Sequence, residues 1–269
     1  MGKIKRFVAM GAAAVFATAV LLPLAASAAP MENKAPKPTV VLVHGAFAES
    51  SSWNGVIARL QRRGYQVVAV ANPLRSLHGD ADYLRNVLAG IEGPVVLAGH
   101  SYGGQVATEA AAGNAQVKAL VYVASFAPEI GESALELSNK FPGSTLGPTL
   151  NSIPLGDGSN DLSIKPDKFR AQFAADVDKD EAALMAATQR PIRDVALSEG
   201  AHKAAWKQIP SWFLIPAADK NIPAAAQHFM ADRAEARDVV EVRGGSHAIA
   251  VSEPGVVADV ILDAAKSVR

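Results

Sequence analysis

The chain has 269 residues, of which 49% are hydrophobic and 19% charged, a balance that fits a folded globular protein and excludes a disordered one. Lys plus Arg and Asp plus Glu both number 26, which leaves no basic excess to attract nucleic acid. Cysteine is absent, which removes disulfides, thiol catalysis, thiolate metal sites and the lipid anchor of a bacterial lipoprotein.

Lys3, Lys5 and Arg6 precede an alanine-rich apolar run over 7–24, and Ala26-Ser27-Ala28 places small residues where a signal peptidase requires them. Residues 1–28 are therefore expected to be a signal peptide cleaved after Ala28, since cleavage one residue later would put Pro30 immediately downstream. An uncleaved membrane anchor is the weaker reading, because the apolar run is marginal in length and Pro23 interrupts its end. Export implies a secreted or periplasmic protein with no stable membrane anchor after cleavage. Loss of the three basic residues takes Lys plus Arg from 26 to 23 against 26 acidic residues, a mature net charge near −3.

Residues 29–38 read as a linker, polar and proline-rich from Glu32 to Pro38. Thr39-Val40-Val41-Leu42-Val43 is the run expected of a parallel strand buried on both faces, and it ends in His44-Gly45-Ala46-Phe47. Ser50-Ser51-Ser52 offers a cap for a helix over 53–62, with Trp53, Val56, Ile57 and Leu60 at helical spacing. Gly64 ends that helix, residues 65–70 form the next strand, and Asn72-Pro73 turns the chain. A helix over 80–91 places Tyr83, Leu84, Val87 and Leu88 on one face. After Gly93-Pro94, the apolar run Val95-Val96-Leu97-Ala98 leads into Gly99-His100-Ser101-Tyr102-Gly103 and an alanine-rich helical pattern over 105–112. Another buried strand spans 117–124. This alternation predicts an α/β fold, a doubly wound, mostly parallel sheet flanked by helices, with ligands beyond the carboxyl ends of its strands.

The alternation breaks over 128–206. No convincing buried strand is visible there, 142–166 is rich in Gly, Pro, Ser and Asn, and short helices are expected over 167–173, 179–187 and 192–197. Phe169, Phe173, Leu184, Met185 and Trp206 give this insertion apolar groups to bury, so it is expected to be a cap or lid rather than a disordered loop. The sheet resumes over 211–216, followed by Ala217-Ala218-Asp219. Ile222-Pro223 starts a helix to about 233, and 238–242 is the last strand, followed by Gly244-Gly245-Ser246-His247. Ser252-Glu253-Pro254 is expected to cap a final helix. The core thus comprises 39–127 and 207–269, and the cap 128–206.

Gly-x-Ser-x-Gly between a strand and a helix is the pattern of a nucleophile elbow, in which Gly99 and Gly103 leave room for a strained Ser101. A serine hydroxyl is a weak nucleophile at neutral pH; it needs a base, and the base needs an orienting group. Of six histidines, His247 follows the last strand on a Gly-Gly-Ser loop that lets its ring reach across. His100 adjoins the nucleophile but is expected to point away, His44 to be structural, and His78, His202 and His228 to be solvated on the surface. Asp219 directly follows the penultimate strand and completes a Ser–Asp–His order; a turn or cap role would also explain it, and Glu129 is a competing carboxylate. The backbone N–H of Tyr102 and that of Ala46, with Phe47 next, are the expected oxyanion donors, and Phe47 also suits a pocket wall. Histidines and carboxylates show no metal-ligand spacing, so neither metal nor cofactor is expected.

Val43-His44-Gly45-Ala46-Phe47, Gly99-His100-Ser101-Tyr102-Gly103-Gly104, Ile215-Pro216-Ala217-Ala218-Asp219 and Gly244-Gly245-Ser246-His247 together resemble the α/β-hydrolase superfamily across essentially the whole mature chain. The His44-Gly45-Ala46 loop and the stretch Ala-Ala-Leu-Met-Ala-Ala-Thr-Gln-Arg-Pro over 182–191 resemble small serine esterases near the plant methyl-salicylate esterase and hydroxynitrile lyase group. The resemblance implies an α/β-hydrolase fold with a small helical cap and a cofactor-free triad: Ser101 as nucleophile, His247 as base, Asp219 as orienter. It further implies a small-molecule ester substrate, hydrophobic in keeping with the cap's apolar residues, cleaved through an acyl-enzyme. Other chemistries open to such a triad are perhydrolysis, cofactor-free haloperoxidation, lactone or amide cleavage and C–C lysis, and a binding protein without catalysis is a further alternative. Two departures matter. Ala248 stands where the lyases carry lysine, and the short N-terminus lacks the family's first two strands, so about six parallel strands are expected rather than eight.

Overall fold

The computed structural model describes residues 36–268. The signal peptide read over 1–28, and the linker as far as residue 35, lie outside the described residues.

Chain order begins with β1 (Thr39–Val43), α1 (Asn54–Arg62), β2 (Val67–Val70), α2 (Leu77–Ala89), β3 (Val95–His100), α3 (Tyr102–Ala110) and β4 (Val117–Val123). The insertion follows, with α4 (Ala134–Asn139), β5 (Leu150–Pro154), β6 (Asn160–Ile164), α5 (Pro166–Phe173), α6 (Lys179–Thr188), β7 (Ile192–Arg193) and α7 (Asp194–Ser198). The chain closes with β8 (Ser211–Pro216), α8 (Ala224–Arg233), β9 (Asp238–Val242), α9 (Ile249–Ser252) and α10 (Pro254–Lys266).

Six strands form one sheet in the order β2-β1-β3-β4-β8-β9, and every neighbouring pair is parallel. The expected strand count and direction are met. Burial explains which runs were most visible: β1, β3 and β8 are buried at every residue, whereas the edge strands β2 and β9 are only partly covered. Alternation across β1 divides the core into two layers. Val40 and Leu42 pack with Trp53 just before α1, with Val56 and Leu60 of α1 and with Val257 and Ile261 of α10. Val41 and Val43 face Leu84 and Leu88 of α2 and Val106 of α3.

Several local expectations change. The serines at 50–52 do not cap α1 through their side chains; they form a 3-10 turn, in which Ser50 and Ser52 donate to the carbonyls of Val70 and Glu49. The second helix starts at Leu77 rather than 80, because the Ser76 side chain accepts from Gly79 N and closes its first turn. Ser252 does not cap α10 but ends α9, and its hydroxyl points to Asp176.

The insertion contains the expected short helices and, in addition, a three-stranded antiparallel sheet β5-β6-β7. Its strands are not buried: β5 is exposed along nearly its whole length and β6 is half-buried until Ile164. Strands facing water on most sides need no apolar run, so the sequence carried no sign of them. The helix read over 192–197 is a two-residue strand followed by α7. Phe169 and Phe173 join the main core as expected, but Leu184 keeps 68% of its surface exposed.

Candidate active site

Ser101 lies between the end of β3 and α3 with φ 53° and ψ −126°, a left-handed conformation strained for a residue with a Cβ. Its amide donates to Ala124 O at 3.1 Å, and its carbonyl accepts from Gly104 N at 3.0 Å and Ser125 Oγ at 2.8 Å. The bend depends on missing side chains. A Cβ on Gly103 would come within 2.3 Å of Val43 O, and one on Gly45 within 2.6 Å of Ser101 Cβ. Gly45, in the loop just after the first strand, was not singled out for this role from sequence.

His247 and Asp219 come from loops after β9 and β8, and both are buried. His247 Nδ1 lies 2.7 Å from Asp219 Oδ2. A carboxylate accepts, so Nδ1 carries the proton and Nε2 is left with its lone pair. Asp219 also accepts from Gln227 Nε2 at 3.0 Å through Oδ2, and from the amides of Asn221 at 2.7 Å and Ile222 at 3.0 Å through Oδ1. The turn role that competed for this residue is therefore real and coexists with the contact to histidine. Glu129, the rival carboxylate, instead pairs with Lys207 at 2.7 Å on the surface. Gln227 was missed, because a glutamine on a helix with no clear apolar face gives no signal before the fold is known.

Ser101 and His247 line one cavity of about 50 Å³, with Ala46, Phe47, Tyr102 and Phe126 beside them and Leu135, Leu146 and Leu197 of the insertion opposite. No hydrogen bond joins the Ser101 hydroxyl to His247 in this structure. Among the described residues, neither the Ala46 nor the Tyr102 amide has a hydrogen-bond partner, as donors for a developing oxyanion require. Phe47 differs: its amide donates to Arg190 O at 3.1 Å and is thus committed to the insertion. That makes it a poor oxyanion donor, while its side chain is the pocket wall expected, and it also borders a larger groove of about 300 Å³ lined by Glu49, Leu184 and Met185. Arg190 holds the same loop through a two-point contact with Glu49, at 2.9 and 3.0 Å.

The remaining histidines divide. His44 is structural, as expected: its Nδ1 donates to Gly45 O at 2.9 Å and its Nε2 accepts from Asn72 N at 3.0 Å, while burial lowers its pKa. His100 does not point away from His247, contrary to expectation: its Nε2 donates to the His247 backbone carbonyl at 2.9 Å and the two ring centroids lie 4.8 Å apart. Burial, then the neighbouring His247, push its imidazole down to about 3, so it stays neutral beneath the base. Tyr102, one residue past the nucleophile, is anchored by its hydroxyl to Asp80 Oδ2 at 2.8 Å.

His78 and His202 are not separate solvated residues. With Glu109 they bring three possible metal-ligand atoms within 4.8 Å of one another, a grouping that sequence spacing concealed. Both Glu109 oxygens are already engaged, one with His78 Nδ1 at 2.8 Å and the other with His202 N at 3.0 Å. The two imidazoles stack at 3.7 Å with planes 13° apart, so their lone pairs do not converge on one point. The cluster reads as a clasp between α2, α3 and the segment returning from the insertion.

Three comparisons bear on the chain. A family model described as "Alpha/beta hydrolase family" matches residues 40–260. The alpha/beta hydrolase nvfD of Aspergillus novofumigatus is 28% identical over 251 residues, 85% of this chain and 97% of that protein. Norfluorocurarine synthase 2 of a Strychnos species is 25% identical over 255 residues, 82% of this chain and 93% of its own. Among solved structures, polyneuridine aldehyde esterase superposes with a TM-score of 0.72 at 20% identity, covering 85% of this chain and 99% of that one.

Proposed function

The chain belongs to the alpha/beta hydrolase family, and from that premise we propose that it is a serine hydrolase that cleaves a carboxylic ester through Ser101, His247 and Asp219. One observation carries the reading: His247, held at Nδ1 by Asp219, lines the same apolar cavity as Ser101. In the proposed cycle the Ser101 Oγ proton passes to His247 Nε2 as Oγ bonds to the ester carbonyl carbon. The carbonyl oxygen becomes an oxyanion facing the Ala46 and Tyr102 amides. Collapse breaks the bond to the alcohol, which leaves with the proton from His247. Water then gives a proton to His247, attacks the acyl-enzyme, and releases the acid and free Ser101. Asp219 keeps the ring in the required tautomer throughout. No cofactor enters these steps, and the apolar lining favours a small or medium hydrophobic ester. We further propose that the mature enzyme acts outside the cytoplasm, after removal of residues 1–28.

Replacement Ser101→Ala tests the reading directly. Turnover of short p-nitrophenyl esters should fall by roughly 10³-fold or more, and a fluorophosphonate should label the wild type at Ser101 alone. Undiminished turnover would sink the proposal. The synthase name carried by one full-length relative favours a second reading, the same triad used on a substrate other than a simple ester. A panel adding lactones, amides, and peroxide with halide separates the two, while Ala248 argues against the lyase branch.

A further inference from the structure

The loop that carries His247 is held from the insertion, and we propose that Asp176 is the positioning residue that fixes this base for reaction. The proposal rests on the hydrolase reading above and adds a residue to it. Asp176 lies between α5 and α6. Its Oδ2 accepts from Ser246 N at 3.0 Å and from Ser252 Oγ at 2.8 Å, and its Oδ1 accepts from Ser246 Oγ. These donors bracket His247: Ser246 precedes it and Ser252 ends α9. One carboxylate thus ties together both ends of the stretch that presents the base.

The contact is reinforced at its centre. Phe173 O, at the end of α5, accepts from Ala248 N at 2.9 Å and from Ser246 Oγ at 3.2 Å. The Phe173 ring stands edge-on to the His247 imidazole, with centroids 4.9 Å apart and planes at 75°. The loop needs such support. Gly244 and Gly245 precede it, and Gly244 has φ 73°, so the backbone alone constrains it weakly. Asp219 grips only the ring at Nδ1, which sets orientation but not the distance from Nε2 to Ser101. A misplacement of about 1 Å can cost a reaction roughly 10²-fold. Hydrogen bonds to a charged acceptor are shorter and stronger than neutral ones, which suits a carboxylate for the task. Asp176 itself is exposed, so its contribution belongs to the loop rather than to the core.

The experiment combines hydrogen–deuterium exchange over 244–253 with steady-state kinetics on a p-nitrophenyl ester, in wild type, Asp176→Ala, Asp176→Asn, Ser252→Ala and Asp176→Ala with Ser252→Ala. In Asp176→Ala, exchange at the Ser246 and Ala248 amides should rise at least about tenfold. The turnover number should fall by roughly 10- to 100-fold with KM within about twofold. Asp176→Asn, which keeps one acceptor oxygen, should recover part of the loss, and it serves in place of the alanine variant should that one fail to fold. Adding Ser252→Ala to Asp176→Ala should cost nothing more, because the Ser252 hydroxyl has already lost its Asp176 partner. Unchanged exchange and turnover, a loss confined to KM, or full additivity of the two substitutions would overturn the proposal. A wild type that neither turns over esters nor reacts with fluorophosphonate refutes the hydrolase reading instead, and the exchange measurement still decides whether Asp176 holds the loop.

Discussion

Leu42 and Ile153 both sit in strands, yet Leu42 is fully buried between two helical layers whereas Ile153 keeps 52% of its surface exposed. The contrast holds for the regions they represent. The central strands of the parallel sheet are covered on both faces, and its carboxyl edge carries Ser101, Asp219 and His247. The insertion over 128–206 brings a half-exposed sheet and short helices, and it meets the edge through hydrogen bonds to loops: Asp176 and Phe173 to the histidine loop, Arg190 to the loop of Ala46 and Phe47. In the proposed reaction the core supplies the reacting atoms and the insertion holds two of the loops that present them.

The sharpest test of this division sets a core residue against an insertion residue. Asp219→Ala should lower the turnover number by roughly 10³- to 10⁴-fold, since it releases the tautomer and orientation of His247 together. Asp176→Ala should lower it by only roughly 10- to 100-fold. Equal losses, read in the same ester assay, would erase the distinction between the two regions.

Burial also decided what could be read before the fold was known. Thr39-Val40-Val41-Leu42-Val43 and the run over 211–216 are apolar at nearly every position because both of their faces are covered, and each forms the strand expected of it. Ser101 and Asp219 stood out because each follows such a run, and His247 because a Gly-Gly-Ser loop carries it beyond the half-covered last strand. The hairpin Leu150–Pro154 with Asn160–Ile164 stayed hidden, since a strand facing water needs no apolar side chains. Asp176, Gln227 and the His78–Glu109–His202 clasp stayed hidden for another reason. Asp176 and the clasp pair across 31 to 93 residues, as with Ser246 at a separation of 70, and Gln227 reaches Asp219 around a turn at a separation of 8; no local pattern encodes such pairings. The 3-10 turn at 50–52 shows the opposite error, where a local cap pattern was overridden by carbonyl partners at Val70 and Glu49.

Stability should follow the same division. Leu42→Ala removes buried atoms from a layer that cannot collapse easily, and should cost about 2–5 kcal/mol. Ile153→Ser, on the exposed hairpin, should stay within about 0.5 kcal/mol. Urea unfolding of both variants checks the pair; comparable losses would mean that the hairpin is as much a part of the cooperative core as β1.

A subtler effect should come from His100, which sits at the seam of the two regions. Its ring is edge-on to Trp53 of the core and to Phe173 of the insertion, with centroids 6.3 and 6.2 Å away. Its Nδ1 has no partner, and its Nε2 is committed to the His247 carbonyl. Burial first, and the adjacent His247 second, lower its imidazole from 6.5 to about 3. The folded state therefore prefers the neutral ring. Above 6.5 neither state binds a proton there and this group leaves stability unchanged. Between 6.5 and about 3 the unfolded chain takes up a proton that the folded chain does not, so stability falls with acidification by about 1.4 kcal/mol per pH unit. Below about 3 both states are charged and the loss levels off. His44, also lowered by burial, acts in the same direction and remains in both proteins. His100→Gln keeps an N–H donor for the His247 carbonyl but has nothing to titrate. Urea unfolding at several pH values from 7 to 4 should thus give a shallower acid slope for the variant, by about one proton. Equal slopes would mean that the ring takes up its proton without unfolding, and that water reaches the seam where the insertion meets the sheet.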